Sequence, residues 1–164
     1  MTLRVGILTL SDRSASGERA DTSGPALAEL IRAQNWLVTK QMILPDDESA
    51  IRATLIEWAD SREVDVILTT GGTGFAPRDV TPEATRAVVE REAPGLAEAM
   101  RAESLKKTPH AMLSRAVAGI RGRTLIINLP GSPKGALENL QTILPVLPHA
   151  VQLLTDDPGS EASH

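Results

Sequence analysis

The feature that most constrains this chain is Val64-Asp65-Val66-Ile67-Leu68-Thr69-Thr70, an apolar and β-branched run that breaks at once into Gly71-Gly72-Thr73-Gly74. A run of this length with no alternation suits a parallel strand buried on both faces, which in turn asks for an α/β fold with helices on either side of the sheet. In such sheets ligands sit beyond the carboxyl ends of the strands, and glycines there let backbone amides come close to an anion. The loop continues through Phe75-Ala76-Pro77-Arg78-Asp79-Val80 to a Thr81-Pro82 helix start. Residues 64–82 therefore read as a strand emptying into a ligand loop.

Composition narrows the partner. Across 164 residues, 17 Lys+Arg stand against 21 Asp+Glu, a net charge of -4, and the aromatics are only Phe75, Trp36 and Trp58. A nucleic-acid surface wants a basic face and stacking rings, so both counts argue against that class. The absence of cysteine excludes disulfides, thiolate metal sites and cysteine nucleophiles, and fits a reducing compartment. The start, Met1-Thr2-Leu3-Arg4, lacks the pattern of a signal peptide, and no apolar run approaches the roughly 18–20 residues of a membrane helix. The expectation is a cytoplasmic protein with no membrane partner.

The rest of the chain repeats a β-α pattern. Residues 3–10 read as a first strand, ending in a polar loop of small residues over 11–17, a second candidate site loop that holds Ser11 and Asp12. Ser23-Gly24-Pro25 predicts a capped helix carrying Leu27, Leu30 and Ile31 on one face. Residues 36–44 predict a second strand, and Pro45-Asp46-Asp47-Glu48 opens a helix to about Ser61, with Ile51, Leu55 and Ile56 on its buried side. Right-handed crossovers then put strand 64–70 in one parallel sheet with the others.

Thr81 as cap with Pro82 in the first turn predicts a helix reaching about Glu92, and a further helix follows over 96–105. Short strand character over 116–120 precedes a stronger strand over 124–129, which ends in Pro130-Gly131-Ser132-Pro133-Lys134-Gly135 with Ser132 as the cap of another helix. A last short helix spans 146–154. The expected architecture is a single domain over 1–154, a three-layer α/β/α sandwich with a mostly parallel central sheet, and a loose tail over 155–164.

The glycine loop matches neither common nucleotide fingerprint. Phe75-Ala76-Pro77 stands where a dinucleotide motif wants its third glycine, and no phosphate-loop pattern ending in Gly-Lys-Ser/Thr occurs. Asp46 and Asp79 follow two strands in equivalent places, so the carboxylates can meet at one end of the sheet and hold Mg²⁺ carried by phosphates. Taken singly, each is a better candidate for a helix cap than for a metal ligand, and the same holds for Asp12. Arg78 and Lys134, in glycine or proline loops, are candidate phosphate partners, Lys134 being equally a surface cation near a helix start. His110, His149 and His164 have no ligand spacing, and no Ser-His-Asp motif is present, so covalent catalysis is not expected.

Thr69 to Gly74, Arg78 to Glu83, Ser104-Leu105-Lys106, Leu113-Ser114-Arg115 and Asn128 to Lys134 together closely resemble the molybdenum-cofactor biosynthesis proteins of the Mog/MoaB type. Leu10-Ser11-Asp12-Arg13 and Leu44-Pro45-Asp46-Asp47 carry the same resemblance, which spans about residues 3–154 with the motifs in order.

The resemblance implies molybdopterin adenylyltransferase activity, in which the terminal phosphate of the pterin attacks the α-phosphorus of ATP. That chemistry needs no protein nucleophile. It implies Asp46 and Asp79 as catalytic and Mg²⁺-binding residues. Ser11, Asp12, Thr70, Gly71, Gly72, Thr73, Gly74, Arg78, Ser104, Ser114, Asn128, Pro130, Gly131, Ser132 and Lys134 are then the substrate- and nucleotide-binding set. It further implies a homotrimer that hands its product to a molybdenum-insertion protein. The competing expectation is a silent molybdopterin-binding or carrier protein of the same fold; retention of both acids and the lack of room for a fused insertion domain favour the enzyme.

Overall fold

A computed structural model describes residues 1–156. Six strands form one sheet: β1 (Arg4–Leu10), β2 (Leu37–Leu44), β3 (Val66–Thr70), β4 (Arg91–Glu92), β5 (Ala118–Arg121) and β6 (Thr124–Leu129), in the order β2-β1-β3-β6-β5-β4. The four strands β2, β1, β3 and β6 are parallel, whereas β5 and β4 are added antiparallel at the β6 side. The chain runs from β1 out to β2 and then returns across β1 to β3. This reversal opens a crevice at the carboxyl ends of β1 and β3, where loops leave in opposite directions.

The strands alternate between two cores, as the period of 2 requires. Val5, Ile7, Val66, Leu68, Leu125, Ile127 and Leu129 face one side. There they meet Leu27 and Ile31 of α2 (Ser23–Ala33), Met100 of α5 (Pro94–Leu105), Leu140 and Ile143 of α6 (Pro133–Ile143) and Val151 of α7 (Leu147–Leu154). Leu8, Leu10, Ile67 and Ile126 face the other, against Ile51, Leu55 and Trp58 of α3 (Glu48–Asp60) and Ala84 and Val88 of α4 (Thr81–Val88). The expected three-layer α/β/α sandwich with a mostly parallel sheet is present. Among the described residues no helix is long and apolar enough to cross a membrane.

Four local expectations are corrected. The loop over 11–17 contains a short helix, α1 (Asp12–Ala15), whose cap Ser11 accepts from the Ser14 amide at 3.2 Å. Helix α4 stops at Val88, not Glu92, because the next residues find partners on β5: Glu90 N donates to Ile120 O at 2.8 Å, Ala93 N donates to Ala118 O at 2.9 Å, and Arg91–Glu92 become β4. Ser23 does not cap α2; Asp21 Oδ1 accepts from the Gly24 amide at 3.0 Å, and Ser23 Oγ donates to Gly131 O at 2.6 Å. Thr81 does not cap α4 either, since its hydroxyl donates to Gly71 O at 2.9 Å from a buried position. Both hydroxyls leave a local amide for a carbonyl of a site loop. Of the tail expected over 155–164, residues 157–164 lie outside the described residues.

Candidate functional site

The loops that leave β1, β2, β3 and β6 meet above the crevice and enclose a cavity of about 450 Å³. The path of the β3 exit depends on two glycines. Gly71 has φ +105, and a Cβ there would run into the Leu10 carbonyl oxygen; Gly72 has φ +68, and its Cβ would meet the Thr81 hydroxyl and lie 3.3 Å from Asp46 Oδ1. Side-chain-free backbone at both positions lets the loop lie flat against the end of β1 and leaves space for Asp46.

Asp46 is free for this position because its neighbour caps the helix: Asp47 accepts from the Ala50 amide at 3.2 Å. Asp46 and Asp12 instead bind each other's backbone, Asp46 Oδ2 accepting from the Asp12 amide at 3.1 Å and Asp12 Oδ1 from the Asp46 amide at 2.9 Å. The other oxygen, Asp46 Oδ1, is buried without a hydrogen-bond partner. Burial raises the Asp46 pKa above the usual carboxylate range, and the negative charges of Asp12 and Asp79 add to the rise, while the Asp12 amide bond and Arg78 oppose it. Asp79 does not cap α4; its Oδ2 accepts from the Ala76 amide at 3.0 Å. The two carboxylates thus share one end of the sheet, with a desolvated oxygen left over.

That orphaned oxygen suits a hard cation. Among the described residues no group of three or more His, Asp or Glu side chains is arranged to hold a metal ion. A Mg²⁺ ion here would need ligand oxygens, such as those of phosphates, to complete its octahedral shell.

A second cavity of about 340 Å³ lies on the other side of the glycine loop and shares Ser132 with the first. The expected site residues divide between them. Ser11, Asp12, Asp46, Thr70, Gly71, Gly72, Arg78, Asp79 and Gly131 line the first, while Thr73, Gly74, Ser104, Ser114 and Pro130 line the second. Lys134 lies exposed in the first turn of α6 and lines neither. Asn128 also lines neither: fully buried, it donates to the Thr69 and Thr85 hydroxyls at 3.0 and 2.9 Å and accepts from the Val117 amide at 3.2 Å.

Sequence reasoning passes over several wall residues. Arg13, Arg19 and Asp21 belong to the first cavity, and Arg101, Lys107 and His110 to the second. Arg13 sits inside a quoted motif and could have been weighed there. Arg101 and Lys107 look like ordinary solvated cations at the end of α5, and nothing in the pattern tells which face reaches a cavity. Arg101 Nη1 in fact donates to the Ser114 and Ala116 carbonyls at 3.2 and 2.9 Å, supporting that wall.

Comparison with known proteins identifies the family. A family described as "Probable molybdopterin binding domain" matches residues 6–149. The chain is 50% identical over 158 residues to the molybdenum cofactor synthesis protein cinnamon of Drosophila melanogaster, covering 95% of this chain and 26% of that protein. It is 44% identical over 155 residues to a molybdopterin adenylyltransferase of Helicobacter pylori, covering 93% and 88%. It spans about a quarter of the length of the first curated relatives it matches, the Drosophila protein and a gephyrin from Dictyostelium discoideum (26% and 23%). The solved structure of a molybdopterin biosynthesis enzyme MoaB from Thermus thermophilus superposes with a TM-score of 0.90 at 56% identity, over 96% of this chain and 99% of that one.

Proposed function

The chain belongs to this family of molybdopterin binding domains, and from that premise we propose that it is a molybdopterin adenylyltransferase. It moves AMP from MgATP to the terminal phosphate of molybdopterin. An oxygen of that phosphate bonds to the α-phosphorus, the bond between the α-phosphorus and the bridging oxygen breaks, and pyrophosphate leaves. The observation that carries the reading is the pair of cavities that share a wall at the glycine loop, with Asp46 and Asp79 on the first. Two substrates that meet phosphate to phosphate need two adjoining sites.

In this reading the first cavity takes the nucleotide, with Arg78 and the Gly71–Gly72 backbone at its phosphates. The second takes the pterin, whose phosphate reaches toward Thr73 and Gly74 while Ser104 and Ser114 hold the rest. Asp46 and Asp79 would hold Mg²⁺, which would supply charge neutralisation for the transfer. The chain's own contribution is alignment and fixed dipoles, since no side-chain nucleophile is required. The protein acts in the cytoplasm as a homotrimer and passes its product to a molybdenum-insertion protein, in line with the family resemblance.

The test is pyrophosphate release by the purified protein given MgATP and molybdopterin. Asp79→Asn is expected to lose most of the rate, about 10²–10³-fold for an electrostatic group at a phosphoryl centre, and to keep pterin binding. A native protein that binds the pterin and releases no pyrophosphate would be a carrier instead. Light scattering checks the trimer.

A further inference from the structure

We propose that Arg115 is a positioning residue that sets the place of Asp79 by clamping both ends of the 73–79 loop; the consequence for catalysis rests on the adenylyltransferase reading above. The loop has short internal ties. Asp79 and Ala76 bind each other, Asp79 Oδ2 accepting from the Ala76 amide at 3.0 Å and the Asp79 amide donating to Ala76 O at 2.9 Å. These close the turn on itself but do not anchor it to the sheet. The anchor is Arg115. Its backbone amide donates to Thr73 O at 2.8 Å, Nε to Gly74 O at 2.7 Å and Nη2 to Asp79 O at 2.7 Å.

Glu83, in the first turn of α4, holds the same guanidinium by accepting from Nη1 at 2.9 Å with each of its two oxygens. The donors of one planar fork are thereby divided among the start of the loop, its end and the helix that follows it. Lysine has no such fork: its ammonium is a point charge whose three donors carry no fixed plane. The chain neighbour Ser114 lines the second cavity, where its carbonyl is held by Arg101. One residue therefore ties the wall of the second cavity to the acid of the first, and a shift of the loop by about 1 Å can cost on the order of 10²-fold in rate.

Because Arg115 lines neither cavity, its influence must pass through the loop. The experiment compares Arg115→Gln and Arg115→Lys with the wild type, alone and combined with Asp79→Asn, following pyrophosphate release, thermal midpoint and amide exchange of residues 73–79. The expected result is a fall in kcat of about 10–100-fold with the KM for MgATP within about threefold. Lysine should restore folding without restoring rate. Added to Asp79→Asn, either substitution should cost less than about threefold more, since the group it positions is already gone.

Faster exchange at 73–79 without general loss of protection supports the clamp. The proposal is overturned if Arg115→Gln multiplies the Asp79→Asn loss by its full factor, if lysine restores the rate, or if exchange in the loop is unchanged. If the wild type releases no pyrophosphate, the enzyme reading fails, and the exchange result alone decides the clamp.

Discussion

Asn128→Ala separates a buried structural amide from a ligand-binding one. The side chain is fully buried at the end of β6 and bonds three partners from different parts of the fold: Thr69 on β3, Thr85 on α4 and the Val117 amide before β5. Truncation removes the acceptor of Val117 N–H and the donor to two hydroxyls that are themselves fully buried. A buried polar group left unpaired costs about 1–3 kcal/mol. The two threonine oxygens lose an incoming donor, so the unpaired amide sets the scale and the hydroxyls and the small cavity add the rest. The expected total is about 2–4 kcal/mol.

For a domain of this size 1 kcal/mol moves the midpoint by about 2–4 °C, so the thermal transition should fall by about 5–15 °C. Measured well below the transition, kcat and the KM of each substrate should stay within about twofold. Calorimetry and pyrophosphate release on the same preparation provide both readings. An unchanged midpoint with a raised KM would refute the reasoning and return Asn128 to the binding set.

Gly71→Ala is expected to lower stability by at least about 2 kcal/mol, from the positive φ and the Cβ driven onto Leu10 O; an unchanged denaturant midpoint would count against the described loop path. Asp46 has a pKa raised by burial, so the folded state holds its proton more tightly than the unfolded chain. Its contribution is fully present below the unfolded carboxylate pKa and is lost as pH rises through the folded value. Asp46→Asn should therefore remove that loss, leaving the protein at least as stable at pH 7 while pyrophosphate release falls; a clear drop in the pH 7 midpoint would sink the argument. Arg101→Gln, which loosens the Ser114 and Ala116 carbonyls, should raise the KM for the pterin about tenfold, the size expected when about 1.4 kcal/mol of binding is lost, and leave that for MgATP unchanged.

Much of this was legible in the residues. The β-branched run to Thr70, the glycines after it and the Ser132-Pro133 start each describe a local preference that the fold keeps, and a parallel sheet brings all its strand-end loops to one edge. That is why Asp12, Asp46 and Asp79 could be expected near one another from their places after strands or in site loops. The identity of the caps was not legible. Thr81 and Ser23 have ideal capping chemistry, but each donates instead to a carbonyl of a site loop: Thr81 to Gly71 at the start of its own loop, and Ser23 to Gly131, 108 residues away, while Asp21 accepts from the Gly24 amide.

Helix α4 likewise ends early because β5 offers its backbone a partner that no local pattern announces. The same holds for the division of the site into two cavities, the burial of Asn128 and the clamp of Arg115. Each is decided by groups far apart in the chain: Asn128 lies 59 residues from Thr69 and Arg115 lies 41 from Gly74. Periodicity and turn chemistry report what a segment can become alone, whereas a hydrogen bond between distant segments exists only once the sheet has brought them together.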